Sequence, residues 1–211
     1  MKKIDLKKLD SLLFFTKESL RLWEKNENTL DFNIKYWLKQ RTIISIKKGS
    51  YILKERLDKE VNKELYLEYL ANKIYEPSYL SCEYVMSKYN LLTEAVWNIT
   101  SITTNKTKIF KSSIGQFSYY SITSRLFTDF EIKPFNSAKI VQAKKTKAVF
   151  DYLYLRFLRK TPINLKSIDE ARINWENLSK NEFNVILNYG KVSGNKRILN
   201  LLYLIKEKYY D

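Results

Sequence analysis

Histidine does not occur in this chain of 211 residues, and cysteine occurs once, at Cys82. Those two facts remove Ser-His and Cys-His nucleophilic catalysis, the commonest zinc ligand, an internal disulfide and the usual proton shuttle. Four glycines offer no phosphate-cradling loop, and no Asp/Glu pair has the spacing of a divalent-metal site. Asp151, beside Tyr152 and Arg156, reads as a local ion pair or cap and is assigned no chemistry. No enzyme and no cofactor is expected. What the chain carries instead is binding chemistry. From Lys35 to Lys54 there are six basic residues, Lys35, Lys39, Arg41, Lys47, Lys48 and Lys54, and no acid. Asn33, Tyr36 and Gln40 are interleaved with them. Cations of this kind hold phosphates, and amide and phenol groups reach base edges, so double-stranded DNA is the expected ligand.

Three helices and a hairpin must position these groups. The pattern predicts a first helix over Ile4 to Phe15 and a second over Lys17 to about Lys25, capped by Thr16, with Leu20 and Trp23 inward. A third, capped by Thr29, runs from Leu30 to about Gln40 and buries Leu30, Ile34, Trp37 and Leu38. Its other face presents Phe32, Lys35, Tyr36 and Lys39, flanked by Asn33 and Gln40. Ile43 to Leu53 then reads as a tight hairpin with Lys47, Lys48 and Gly49 at its tip. Three helices followed by a basic hairpin is the winged helix-turn-helix order. Lys39, Lys47 and Lys48 are read as phosphate contacts, and Asn33, Tyr36 and Gln40 as base contacts. An ordinary solvated helix face is the plainer reading of the third helix taken alone.

The net charge of +15, from 38 Lys and Arg against 23 Asp and Glu, suits a polyanionic partner. Codon bias inflates lysine everywhere, so the segregation of the charge is what argues for a site. A second acid-free zone, Val96 to Arg125, contains Lys106, Lys108, Lys111 and Arg125, and with Lys144 and Lys145 from a later cluster these make a second candidate basic surface. It reads as an extension of the DNA track, a surface for an acidic partner, or a solvated sheet face. The start, Met1-Lys2-Lys3-Ile4-Asp5, lacks a signal-peptide core, and no run is long enough to span a membrane, so a cytoplasmic protein is expected.

Beyond a long helical pattern from Glu55 to Ile74, the character of the chain changes at Pro77. Ser81 caps a helix to about Tyr89, and Val96 to Ile122 reads as a three-stranded antiparallel meander. Short strands follow over Phe127 to Ile132 and Ala138 to Val141, then a helix from Ala143 to Leu158. Ser179 and Glu182 form a capping box for a helix ending near Gly190, and Lys196 to Tyr210 makes the last helix. The fold class is therefore α+β: a winged helix-turn-helix head over residues 1–75, then a mixed unit over 76–211 with a small antiparallel sheet and C-terminal helices.

Several stretches carry a resemblance. Pro77-Ser78-Tyr79-Leu80-Ser81-Cys82-Glu83, Tyr89-Asn90-Leu91-Leu92, Thr100 to Thr104, Phe110 and Gly115-Gln116-Phe117-Ser118-Tyr119 resemble the AbiEi-type antitoxins of type IV toxin–antitoxin, or abortive-infection, systems. Lys47-Lys48-Gly49-Ser50-Tyr51 resembles that family's wing. Ala143 with Lys147-Ala148-Val149-Phe150-Asp151 resembles its Ala…Lys-Ala-Leu-x-Asp segment, with Lys145-Thr146 in place of the usual Pro-Glu. The resemblance implies a head that binds operator DNA and represses its own operon, and a C-terminal domain that counters a nucleotidyltransferase-like toxin. A homodimer is expected if the operator is palindromic. The alternative is a stand-alone winged-helix regulator whose second domain senses or binds something else.

Overall fold

The computed structural model describes residues 6–158 and 160–211. The charged start Met1–Asp5, with Ile4 of the expected first helix, lies outside the described residues. Of that helix only a single 3-10 turn, Leu6–Leu9, is seen. Phe15–Thr16 instead forms a short strand, β1, against the hairpin. The second helix is cut to one turn, α1 (Lys17–Leu20), closed by a capping box between Thr16 and Ser19. Leu20 is buried as expected, but Trp23 falls beyond the helix and is exposed. Then come α2 (Glu27–Lys39), β2 (Ile43–Lys47) and β3 (Ser50–Leu53), making an antiparallel sheet of order β1-β3-β2. A small core of Leu9, Phe15, Leu20, Leu30, Ile34, Trp37, Ile43, Tyr51 and Leu53 fills the space between α2 and this sheet.

The long helix expected over Glu55 to Ile74 is two helices, α3 (Lys54–Lys59) and α4 (Lys63–Ile74). Glu60 is extended and the Asn62 side chain accepts the Leu65 N–H, so a new helix is capped where the charge pattern reads as continuous. Val61 lies in this break and is exposed.

The second sheet is larger and differently connected than the meander predicted from sequence. It has six strands, β4 (Ser78–Leu80), β5 (Ile99–Thr103), β6 (Lys108–Ser112), β7 (Gly115–Ser121), β8 (Phe130–Phe135) and β9 (Ala138–Ala143), in the order β6-β7-β5-β4-β9-β8. Strands β5 and β7 pair in parallel, as do β4 and β9, so the sheet is mixed. Burial explains the departure. Every residue of β5 and the middle of β7 are buried, whereas β6 is largely exposed, so β6 is left at the edge and the two buried strands meet. Helix α4 covers one face, where the Tyr119 hydroxyl donates to the Ala71 carbonyl. Asn72 acts as a ladder rung, accepting the Val141 N–H at 2.7 Å and donating to the Val141 carbonyl at 3.2 Å. Helices α5 (Cys82–Lys88) and α6 (Lys145–Phe157) pack on the opposite face. Helices α7 (Leu165–Asp169), α8 (Lys180–Ser193) and α9 (Lys196–Tyr209) complete the chain. The Ser179–Glu182 capping box forms as predicted. Gly190 is not the C-cap: it lies within α8 against Leu202, and Gly194, at φ +63°, ends the helix.

The two sheets are not independent. A register shift between Ser45 and Lys47 interrupts the β2–β3 ladder, and Ile46 and Ile52 join the core of the larger sheet. The Ser112 hydroxyl on edge strand β6 donates to the Ser45 carbonyl on edge strand β2 at 2.8 Å.

Candidate nucleic-acid interface

Helix α2 begins earlier than predicted, because Asn26 rather than Thr29 caps it and accepts the Thr29 N–H at 3.0 Å. Its acids are neutralised at once. Lys17 reaches Glu27 at 3.0 Å and Asp31 at 2.5 Å, and Arg21 reaches Glu27 at 2.6 Å. The Arg21 guanidinium, then Lys17, hold the Glu27 carboxyl down at about 2. The C-terminal half of the helix is left basic.

There Phe32 is 56% exposed and Tyr36 43%, and Lys35, Lys39 and Gln40 are exposed beside them. Arg41 follows in left-handed conformation at φ +54°, its N–H bonded to the Leu38 carbonyl, and is also exposed. A cation just past a helix C-terminus is favoured by the helix dipole. Among the described residues, Lys35, Lys39, Arg41 and Lys48 have no ion-pair partner, unlike Lys17, Arg21, Lys54, Arg56 and Lys59 of the same region.

Two sequence expectations fail here. Asn33 is buried in the inward stripe with Leu30, Ile34 and Trp37, and its amide nitrogen has no partner among the described residues, so it presents nothing to a groove. Lys47 is half-buried: its ammonium donates to the Ile74 carbonyl and lies 5.8 Å from the centre of the Phe110 ring. Burial, with the charge of Lys108, lowers its pKa. Lys47 joins the two sheets, and Lys48 alone is the exposed cation at the tip, beside Gly49 at φ +80°.

The second basic zone is partly dismantled. The Arg125 guanidinium donates to the Ser193 carbonyl, Lys145 pairs with Glu182 at 2.9 Å, and Lys144 lies 3.7 Å from Asp129. These three hold loops and helices together. Lys106, Lys108 and Lys111 remain exposed on or beside β6 without ion pairs among the described residues. Lys108 lies 5.3 Å from the Phe110 ring centre, the ring that Lys47 also approaches, so this end of β6 adjoins the hairpin.

One buried ion pair is not legible in the sequence. Lys147 and Asp151 pair with neither side chain exposed. Asp151 also accepts from the Ser81 hydroxyl at 2.7 Å and the Tyr79 hydroxyl at 3.0 Å, and Lys147 donates to the Tyr79 oxygen at 2.9 Å. Burial pushes the Asp151 carboxyl up, against the pull of Lys147. Asp151 is thus an ion pair as read, though with Lys147 and not with Arg156. Ser81 does precede α5, but its side chain serves Asp151 and not the helix end. The available signal was the resemblance itself, since Tyr79 and Ser81 stand in one of its segments and Lys147 and Asp151 in another.

Next to this cluster two adjoining cavities, of about 380 and 270 Å³, share Glu83, Tyr152 and Arg156 as walls. Arg156 donates to the Tyr152 hydroxyl at 2.9 Å, while its buried Nε has no partner among the described residues. Burial raises the Glu83 carboxyl above its ordinary value. No helix of the described residues is long and apolar enough to cross a membrane. No protein-family model matches the chain, and no curated protein matches it.

Proposed function

We propose that this protein binds double-stranded operator DNA through the outer face of α2 and the Lys48 turn, and that it is the antitoxin of a type IV toxin–antitoxin pair that represses its own operon. The observation that carries the DNA reading is the set of exposed cations Lys35, Lys39, Arg41 and Lys48, without ion-pair partners among the described residues, around exposed Tyr36 and Gln40. The order of one-turn helix, α2 and hairpin, with a sheet of order β1-β3-β2, suits a winged helix-turn-helix head. Lys106, Lys108 and Lys111 extend the track along β6. The antitoxin reading rests on the AbiEi-type resemblance. Its two segments meeting in the Tyr79–Ser81–Lys147–Asp151 cluster support reading them as one structural unit. The toxin expected of that family is a nucleotidyltransferase-like protein.

The test is fluorescence anisotropy of the purified protein with DNA from upstream of its own gene, against scrambled DNA, over a salt series. Specific binding with a log–log salt slope of about −3 to −4 is expected for four phosphate contacts. Equal, weak binding to both DNAs would overturn the reading. Protection from the product of the adjacent gene should survive Lys35→Glu with Lys39→Glu when expression is fixed.

The paired cavities walled by Glu83, Tyr152 and Arg156 favour a second reading, a stand-alone regulator whose larger unit senses a small polar molecule. Absence of a toxin gene nearby would favour it.

A further inference from the structure

Strand β8 is the rim of the larger sheet opposite β6, and its outer edge has no partner among the described residues. The register on β9 decides which groups face outward. The strands pair from Phe130↔Ala143 to Phe135↔Ala138, and the Lys144 N–H donates to the Asp129 carbonyl at 3.0 Å, one step further along the same register. Residues 129, 131, 133 and 135 therefore turn their backbone groups toward β9. Phe130, Ile132 and Pro134 turn theirs outward. Pro134, which has no N–H, thus costs the β8–β9 ladder nothing.

The side chains divide in the same alternation. Ile132, 59% exposed, and Phe130, 38% exposed, stand on one face. Glu131 and Lys133 stand on the other, 3.4 Å apart. An open edge with exposed apolar side chains is a template for another strand unless something covers it. The order Phe130-Glu131-Ile132-Lys133-Pro134 is complementary to its own reversal about Ile132.

We propose that β8 pairs antiparallel with β8 of a second copy of this chain, with Ile132 on the two-fold axis. The two Ile132 residues exchange both backbone hydrogen bonds, and each Phe130 N–H meets the Pro134 carbonyl of the other copy. The missing N–H of Pro134 leaves one Phe130 carbonyl at each end to solvent. On one face Ile132 packs on Ile132 and Phe130 on Pro134. On the other, Glu131 of each copy opposes Lys133 of the other, an arrangement that favours this register over any slipped one. The pairing is isologous, so it closes at two copies. It needs no DNA and is independent of the DNA reading.

The test is analytical ultracentrifugation of the full chain without DNA. A concentration-dependent species of twice the 25.3 kDa monomer mass is expected. Glu131→Lys and Lys133→Glu each put like charges opposite one another and should raise the dissociation constant about tenfold or more. The double variant restores opposed charges and should recover the dimer. A wild-type chain that stays monomeric to roughly 100 μM, or single variants that associate as well as wild type, would overturn the proposal. Carbodiimide cross-linking of mixed light and heavy isotope-labelled wild-type protein needs no variant. A mixed Glu131–Lys133 cross-link supports the pairing, and cross-links only within one label overturn it.

Discussion

Lys147 and Asp151, one turn apart on α6, form an ion pair from which solvent is wholly excluded. A buried charge stripped of its partner is strongly destabilising, whereas an apolar pair of similar volume can be nearly neutral. Asp151→Asn or Lys147→Met should therefore cost about 3–5 kcal/mol in denaturant unfolding. Lys147→Met combined with Asp151→Leu should recover at least half of that.

Asn72 satisfies both backbone groups of Val141 from a helix, in place of a strand. Asn72→Ala removes both bonds and should destabilise the fold by about 2 kcal/mol. Amide exchange at Val141 should quicken more than exchange in β5, which locates the loss at the seam between β4 and β9.

The lysines at the hairpin separate in role. Lys48→Glu should weaken operator binding about tenfold and leave the melting temperature unchanged. Lys47→Met breaks the bond to the Ile74 carbonyl, with an expected cost of about 1 kcal/mol and little change in the salt slope of DNA binding. Anisotropy and thermal melts on the two variants check this division.

Glu83 gives a pH dependence of definite sign. Burial raises its folded-state pKa, against its own backbone N–H and the charge of Arg156. Its contribution to stability is therefore complete below the unfolded value of about 4.3 and is lost as pH rises through the folded value. Glu83→Gln removes that loss, so its melting temperature relative to wild type should climb from pH 4 to pH 8. A constant difference across that range would contradict the assignment.

The fold is legible in the sequence where one local period decides the outcome. Leu30, Ile34 and Trp37 mark the buried side of α2, and Lys35, Tyr36 and Lys39 the open side, because helical spacing alone sorts them. Asn33 was misplaced because a polar amide inside an apolar stripe gives no sign that it is buried. The order of β5, β6 and β7 is set by parallel pairing between strands that are not neighbours in sequence, which local alternation does not encode. Lys47 looked like Lys48 because its partners, Ile74 and Phe110, stand far along the chain.

Ile46 and Ile52 give the small sheet two owners, since its α2 side closes one core and its other side belongs to the next. Excision of residues 1–75 would open Ile46 and Ile52 to water. Any grafting of residues 1–75 onto another protein should carry strands β4 to β7 with it, or replace them with a new apolar floor.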